Sequence, residues 1–319
     1  MINKKLLIAA VLAMSVSINT GCANVDKPAA PGGTNITEPD KSQNGSGFDE
    51  ARQESIMKEY ETIIAKENNI SEYISFADKN ISALSPENAS KLIIKLEGIQ
   101  KDYLPNLEDK YYTTGNIQST LEELYKPEYD LSSIDAADVK DEEVKKVLEE
   151  TIKLGYKIET AEGMFFPIID YSFYEKYSSY AAVDIKDYIT LMTAESDKVP
   201  AKDAALVISW DELFDRAFKQ EKFLSQHKDS AKYEEVKDLY KKYVTFAAYG
   251  LNNTPLFAYE NKKMNADAKA AYEKAVAQDS NLAQVLKAYY EAIKKDGFKL
   301  TDKVKSYQGD LIKNEKFLP

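Results

Sequence analysis

Few residues in this chain could carry out side-chain chemistry. It holds one histidine, His227, one cysteine, Cys22, and one tryptophan, Trp210, among 319 residues. His227 stands in the turn-like "SQHKDS", where an exposed loop histidine is expected. A hydrolase triad would need a Gly-x-Ser-x-Gly elbow and a zinc protease a His-Glu-x-x-His helix; neither occurs, and one imidazole supplies neither a metal set nor paired haem ligands. The remaining acid–base groups are carboxylates. Asp170 is the one set among aromatic residues, in "EGMFFPIIDYSFYEKYSSY" at 162–180. Read as a helix, this stretch puts Phe166, Ile169, Phe173, Tyr177 and Tyr180 on one face with Asp170 between them. An ionised carboxylate so placed must be paired or must shift its pKa upward. Two roles remain open: a structural bond to a tyrosine hydroxyl, a lysine or Arg216, or the polar contact of a ligand pocket lined by Phe166, Phe173 and Tyr177. No metal ligand set and no obligatory cofactor are expected.

Cys22 follows Lys4 and Lys5, an apolar core from Leu6 to Val16, and the small residues Thr20 and Gly21. That core is too short to span a bilayer and suits an export signal. The segment resembles the lipobox of bacterial lipoprotein precursors, although Asn19 stands where that family prefers leucine. The resemblance implies removal of residues 1–21, thioether lipidation and acylation at Cys22, and attachment to the extracytoplasmic face of the cell membrane. A second resemblance concerns cell-wall glycan hydrolases of all-helical fold, which use a Glu followed by Ser. Glu54-Ser55 and Glu195-Ser196 match, but neither precedes the Gly-rich segment that shapes such a cleft, and both are expected on solvated helix faces.

Charge narrows the partners. The chain carries 42 basic and 53 acidic side chains, a net charge of −11, and loss of the signal removes two lysines and no acid. Such a surface disfavours nucleic acid and anionic lipid headgroups. Lysine vastly outnumbers arginine, represented only by Arg52 and Arg216, and Ile, Asn and Tyr are abundant; this suggests an A+T-rich, Gram-positive source. Residues 22–47 are rich in Pro, Gly and polar residues and cannot bury enough surface to order, so a flexible linker from the membrane is expected.

From residue 48 to 319 only seven glycines and seven prolines occur, too few for a hairpin-rich sheet protein or a Gly-rich phosphate loop. Helix signals recur instead. Ser85-Pro86 opens a stripe at Ala89, Leu92, Ile93, Leu96 and Ile99. Val144, Val147, Leu148 and Ile152 line another face. Ser209-x-x-Glu212 is a capping pattern, with Val207, Trp210, Phe214 and Ala217 expected on one core face. Gly250 ends a further helix, and Ser280 and Thr301 start two more. The expected fold is all-α, about ten amphipathic helices in a bundle or irregular array, with a possible subdivision near 126–140. The stretches 223–243 and 271–293 loosely resemble tetratricopeptide joins, which would imply a peptide- or protein-binding scaffold, yet their spacing of about 50 residues departs from the family period of ~34. The break "GLNNTPLFAYENKKMN", 250–265, reads as a connector pinned by its aromatics or as a functional loop.

These readings converge on a membrane-anchored, non-enzymatic binding or scaffold module for proteins or cell-wall components. The rivals are a solute-binding lipoprotein of an importer and a carboxylate-based wall hydrolase.

Overall fold

The computed structural model describes residues 49–64, 70–125, 131 and 134–319. Cys22, the signal and the linker lie outside the described residues, as does part of 126–140. The described residues form twelve α-helices and three two-stranded hairpins. The fold is mainly helical, as the glycine scarcity and the cap signals imply.

Helices α1 (Glu50–Ile64) and α2 (Ile70–Asn80) pack on α3 (Pro86–Thr113), the longest at 28 residues. Ser85 caps α3, its hydroxyl accepting from the Asn88 amide at 3.4 Å, with Pro86 at the first helical position. Ala89, Leu92, Leu96 and Leu107 on its inner face are wholly buried. Each buried leucine contributes about 1.5–3 kcal/mol through transfer from water. The short α4 (Ile117–Leu124) follows α3. Helix α5 (Glu142–Lys153) starts at Asp141, whose carboxylate accepts from the Glu143 and Val144 amides. Val144, Val147 and Leu148 are buried as expected, but Ile152 is exposed and Thr151 takes the inward position beside it. One hydrophobic cluster joins side chains on both sides of 126–140.

The stretch 162–180 departs from the helical reading. Tyr156–Ala161 (β1) and Met164–Ile169 (β2) pair antiparallel around Glu162 and Gly163, both at positive φ. A 3₁₀ turn at Tyr171–Tyr174 and the one-turn helix α6 (Glu175–Ser178) follow. Pro167 is the physical reason. It would break a helix interior, yet it fits a strand whose amide edge needs no partner there. Phe165, Pro167 and Ile169 face inward, and β2 packs on α3. The Gln118 side chain binds both the Phe165 amide (2.9 Å) and its carbonyl (2.8 Å), closing the exposed strand edge.

The second half alternates helices with two small hairpins. Helix α7 (Val183–Asp197) leads to β3 (Ala201–Lys202) and β4 (Ala205–Leu206); α8 (Trp210–Gln226) and α9 (Tyr233–Tyr249) lead to β5 (Gly250–Leu251) and β6 (Thr254–Pro255). Ser209 caps α8, accepting from the Glu212 amide at 3.1 Å. Trp210, Phe214 and Ala217 are buried, whereas Val207 precedes the helix and is exposed. Helices α10 (Ala266–Ala275), α11 (Asn281–Lys295) and α12 (Asp302–Lys313) complete the chain, the last two capped by Ser280 and Thr301. The segments 223–243 and 271–293 thus fall in two helical hairpins, α8–α9 and α10–α11, joined through the Phe214–Tyr272 edge contact at 4.9 Å. No helix among the described residues is long and apolar enough to cross a membrane.

Candidate functional site

The residues singled out around Asp170 do not share a helical face. Phe166 lies on β2 opposite its buried neighbours, Asp170 caps the 3₁₀ turn, and Phe173 and Tyr177 belong to that turn and to α6. The Asp170 carboxylate accepts from the Ser172 amide (3.1 Å) and hydroxyl (2.7 Å), and Lys157 stands 3.4 Å away. Of the partners foreseen for it, a lysine is the one present. Phe173 and Tyr177 meet edge to face at 6.0 Å, and the Tyr177 hydroxyl donates to Asp78 at 2.7 Å. Lys176 covers both rings and pairs with Asp78, also at 2.7 Å. These contacts make Asp170 a turn cap and Tyr177 a packing residue.

His227 ends α8 with its side chain only 13% exposed, Nε2 lying 2.8 Å from Asp187 and the ring against Phe223. It is therefore not the exposed loop histidine expected. Glu54 is exposed as expected. Glu195 is not: its carboxylate lies under the Tyr243 hydroxyl and the Arg216 guanidinium, and Arg216 also binds Glu212 and the Lys198 carbonyl. Burial raises the Glu195 carboxyl above its ordinary range, with Tyr243 and Arg216 opposing that shift. Ser196 donates nothing to Glu195; its hydroxyl oxygen accepts from the Tyr171 amide at 3.1 Å.

The interior also holds a polar assembly that no sequence motif marks. Glu97 on α3 is 2% exposed and accepts from the Tyr171 and Tyr188 hydroxyls, both at 2.6 Å. Its carboxylate also meets Lys101 at 2.7 Å and Lys232 at 2.5 Å. Glu235 completes the set, 2.5 Å from Lys101 and 2.9 Å from Lys232, so two acids face two lysines. Burial would raise the Glu235 carboxyl, but Lys232 and Lys101 outweigh it and hold the group down at about 2. Burial, reinforced by Glu97, drives the Tyr171 hydroxyl well above its usual range. Burial acts likewise on Tyr188, with Tyr171 and Glu97 adding to it. Every oxygen and ammonium in this cluster is engaged by another member, so it ties α3, α7, α9 and the 3₁₀ turn together, with only Lys101 and Glu235 at its partly exposed edge. The available signal was positional. Glu97 and Gln100 each stand four residues beyond a core residue, Ile93 and Leu96, and so lie on the apolar stripe itself.

Polar groups open to solvent line two depressions, one of about 310 Å³ at Tyr103, Lys146, Glu149, Glu150 and Lys153 and a larger one where the two small hairpins meet. Asp203 and Ala204 turn β3 into β4 with φ of 49° and 56°. The Asn253 amide donates to the Ala204 carbonyl at 2.8 Å and its Nδ2 to the Asp203 carbonyl at 2.6 Å, while the Leu206 amide donates to the Thr254 hydroxyl at 3.1 Å. Gly250 is required here. It sits at φ +70°, and a Cβ would come within 2.4 Å of the Thr254 carbonyl oxygen. The loop that follows is anchored by the buried Leu256, Phe257 and Met264, and its backbone is bonded from Asn265 to Leu256, from Met264 to Phe298 and from Leu300 to Lys262. The connector reading of 250–265 is the one the contacts match. Its apolar residues pin it, and its polar ones line an open depression of about 570 Å³. Tyr259 stands there 58% exposed, its hydroxyl donating to the Asn252 carbonyl at 3.0 Å.

Among the described residues no group of three or more His, Cys, Asp or Glu side chains could hold a metal ion. Compared with known proteins, the chain matches no family model, no curated protein and no solved structure.

Proposed function

We propose that this chain is a lipid-anchored binding module displayed on the outer face of the cell membrane, engaging proteins or cell-wall components without transforming them. The observation that carries the reading is the division of polar groups just described. Interior carboxylates, lysines and tyrosine hydroxyls are tied to one another, whereas unengaged amides and an exposed ring face solvent on a well-bonded loop. Such a distribution serves recognition, which needs accessible polar groups in fixed positions, better than acid–base catalysis, which needs an accessible titrating group. The mainly helical architecture favours this reading over an importer's solute-binding lipoprotein, a family built from two α/β lobes. The lipobox-like Thr20-Gly21-Cys22 supplies the anchor, and two or more acyl chains there hold a protein durably at a bilayer.

Two measurements test the proposal. Cys22→Ser should release the chain from membrane sediments, and globomycin should hold the precursor at full size; an unchanged distribution and size would refute the anchor. Cross-linking on intact cells with mass-spectrometric identification should recover defined neighbours. Muropeptide release by the purified chain, abolished in Glu195→Gln, would instead establish the wall-hydrolase alternative.

A further inference from the structure

The depression at the hairpin end has a specific hydrogen-bonding character, fixed by contacts within the loop. Asn261 Oδ1 accepts from the Lys263 amide at 2.8 Å, and Asn265 Oδ1 accepts from the Asp267 and Ala268 amides at the start of α10. Those bonds engage the oxygen of both carboxamides and leave each Nδ2, a donor, without a partner among the described residues. In Asn253 the pattern is reversed: Nδ2 is occupied by the Asp203 carbonyl, leaving Oδ1 as an acceptor. The Asn252 side chain has no hydrogen-bond partner among the described residues, so it offers both. The lining is thus two donors, one acceptor and one amide that can do either. Its formal charges, Glu260 and Lys263, cancel.

Tyr259 adds a flat apolar face. It is the most exposed aromatic among the described residues, and its tether to the Asn252 carbonyl limits the freedom that binding would otherwise remove. Unengaged donors and acceptors beside a held aromatic ring complement a sugar ring, whose hydroxyls both donate and accept and whose C–H face stacks on an aromatic. Glu260 and Lys263 together favour neither sign of ligand, and the depression is open, without the enclosed pocket that an apolar peptide anchor fills.

Building on the binding-module reading, we infer that this depression is a glycan subsite for a neutral pyranose chain, with Tyr259 as stacking platform and Asn252, Asn253, Asn261 and Asn265 as hydroxyl partners.

The test is a ¹⁵N NMR titration of the full chain with chitotetraose and, separately, cellotetraose. Side-chain amide resonances of the four asparagines should shift at millimolar sugar. Tyr259→Ala should weaken binding roughly tenfold or more with the helical circular dichroism unchanged, and Tyr259→Phe should stay within about threefold, because the ring and not the hydroxyl does the stacking. No shift with either sugar, shifts confined to another face, or wild-type affinity in Tyr259→Ala would each overturn the assignment. Cell-surface cross-linking reads the broader proposal independently: specific neighbours captured by a chain that binds neither sugar would leave the module standing and remove only the glycan subsite.

Discussion

Replacing Glu97 by Leu isolates what the buried charge cluster does. The substitution roughly conserves volume but removes the carboxylate that Tyr171, Tyr188, Lys101 and Lys232 all address. The consequences are unequal. Lys101 is 40% exposed and keeps Glu235, and Tyr188 keeps a Glu235 oxygen at 2.8 Å. Lys232, 9% exposed, retains Glu235 but now belongs to a cluster with one excess positive charge. Tyr171 keeps only the Tyr188 hydroxyl at 3.5 Å, too long to satisfy a buried donor. An orphaned buried hydroxyl costs about 1–3 kcal/mol, and breaking a buried ion pair on one side costs about 3–5 kcal/mol. The added leucine surface recovers part of this, so a net loss of about 3–5 kcal/mol is expected. For a folded region of this size that corresponds to a fall in Tm of roughly 6–10 °C. Denaturant titration and calorimetry at neutral pH measure it. Lys232→Met should be costly too, and the double variant should fall short of the sum by about 1–3 kcal/mol, since both substitutions remove the same interaction. A loss below about 1 kcal/mol in Glu97→Leu, or strict additivity in the double variant, would refute the account of this cluster as a structural tie.

Three further outcomes are expected. Arg216→Met should cost about 3–5 kcal/mol in chemical denaturation, because Glu195, with a side chain 11% exposed, loses its cation; full recovery in Arg216→Met/Glu195→Gln would be consistent, and an innocuous Arg216→Met would not. The Glu235 carboxyl is depressed from 4.5 to about 2, so its contribution is complete above about pH 4.5 and is lost as pH falls toward 2. Glu235→Gln should flatten that acid limb of the stability profile, and an unchanged limb would point to other carboxylates. Gly250→Ala should cost more than about 1 kcal/mol, through its positive φ and the clash with the Thr254 carbonyl, whereas Gly309→Ala, inside α12 with open space at its Cβ, should gain about 0.5–1 kcal/mol in thermal melts.

The helices were legible because their signals are local. Ser85, Asp141, Ser209, Ser280 and Thr301 each accept a backbone amide within the first turn, and such caps depend on only three or four neighbouring residues. The β1–β2 hairpin was missed for the opposite reason. Its inward set, Phe165, Pro167 and Ile169, alternates with apolar Phe166 and Ile168, so no polar face marked the period of two. Only Pro167 and the Gly163 turn betrayed it. Asp170 was placed on the wrong element along with it, although a lysine, one of the partners foreseen for it, stands beside it. The polar cluster required long-range information. Glu97 reaches Tyr171, Tyr188 and Lys232 across 74, 91 and 135 positions of sequence, and no spacing rule relates them.

That same separation in sequence explains why the hairpin end can be both exposed and held. Asn253 and the Asp203–Ala204 turn are 50 residues apart, yet they are joined by two hydrogen bonds from one asparagine. Their hairpins grow from the ends of α7 and α9, and α9 is fixed to α3 through Lys232, Glu235 and Glu97, and to α7 through Tyr188 and the Tyr243–Glu195 contact. The buried Glu195, Arg216 and Tyr243, near the ends of α7 and α9, are thus the polar contacts closest to where β3–β4 and β5–β6 project. Loosening them should broaden the asparagine resonances around Tyr259 before it unfolds the helices, because a two-residue strand pair has almost no cooperativity of its own. In Tyr243→Phe, which removes the α7–α9 hydrogen bond nearest these hairpins, backbone amide exchange at Leu206, Asn253 and Leu256 should rise more than exchange within α11. A uniform rise across both regions would show that this contact stabilises the whole fold and does not position the loop.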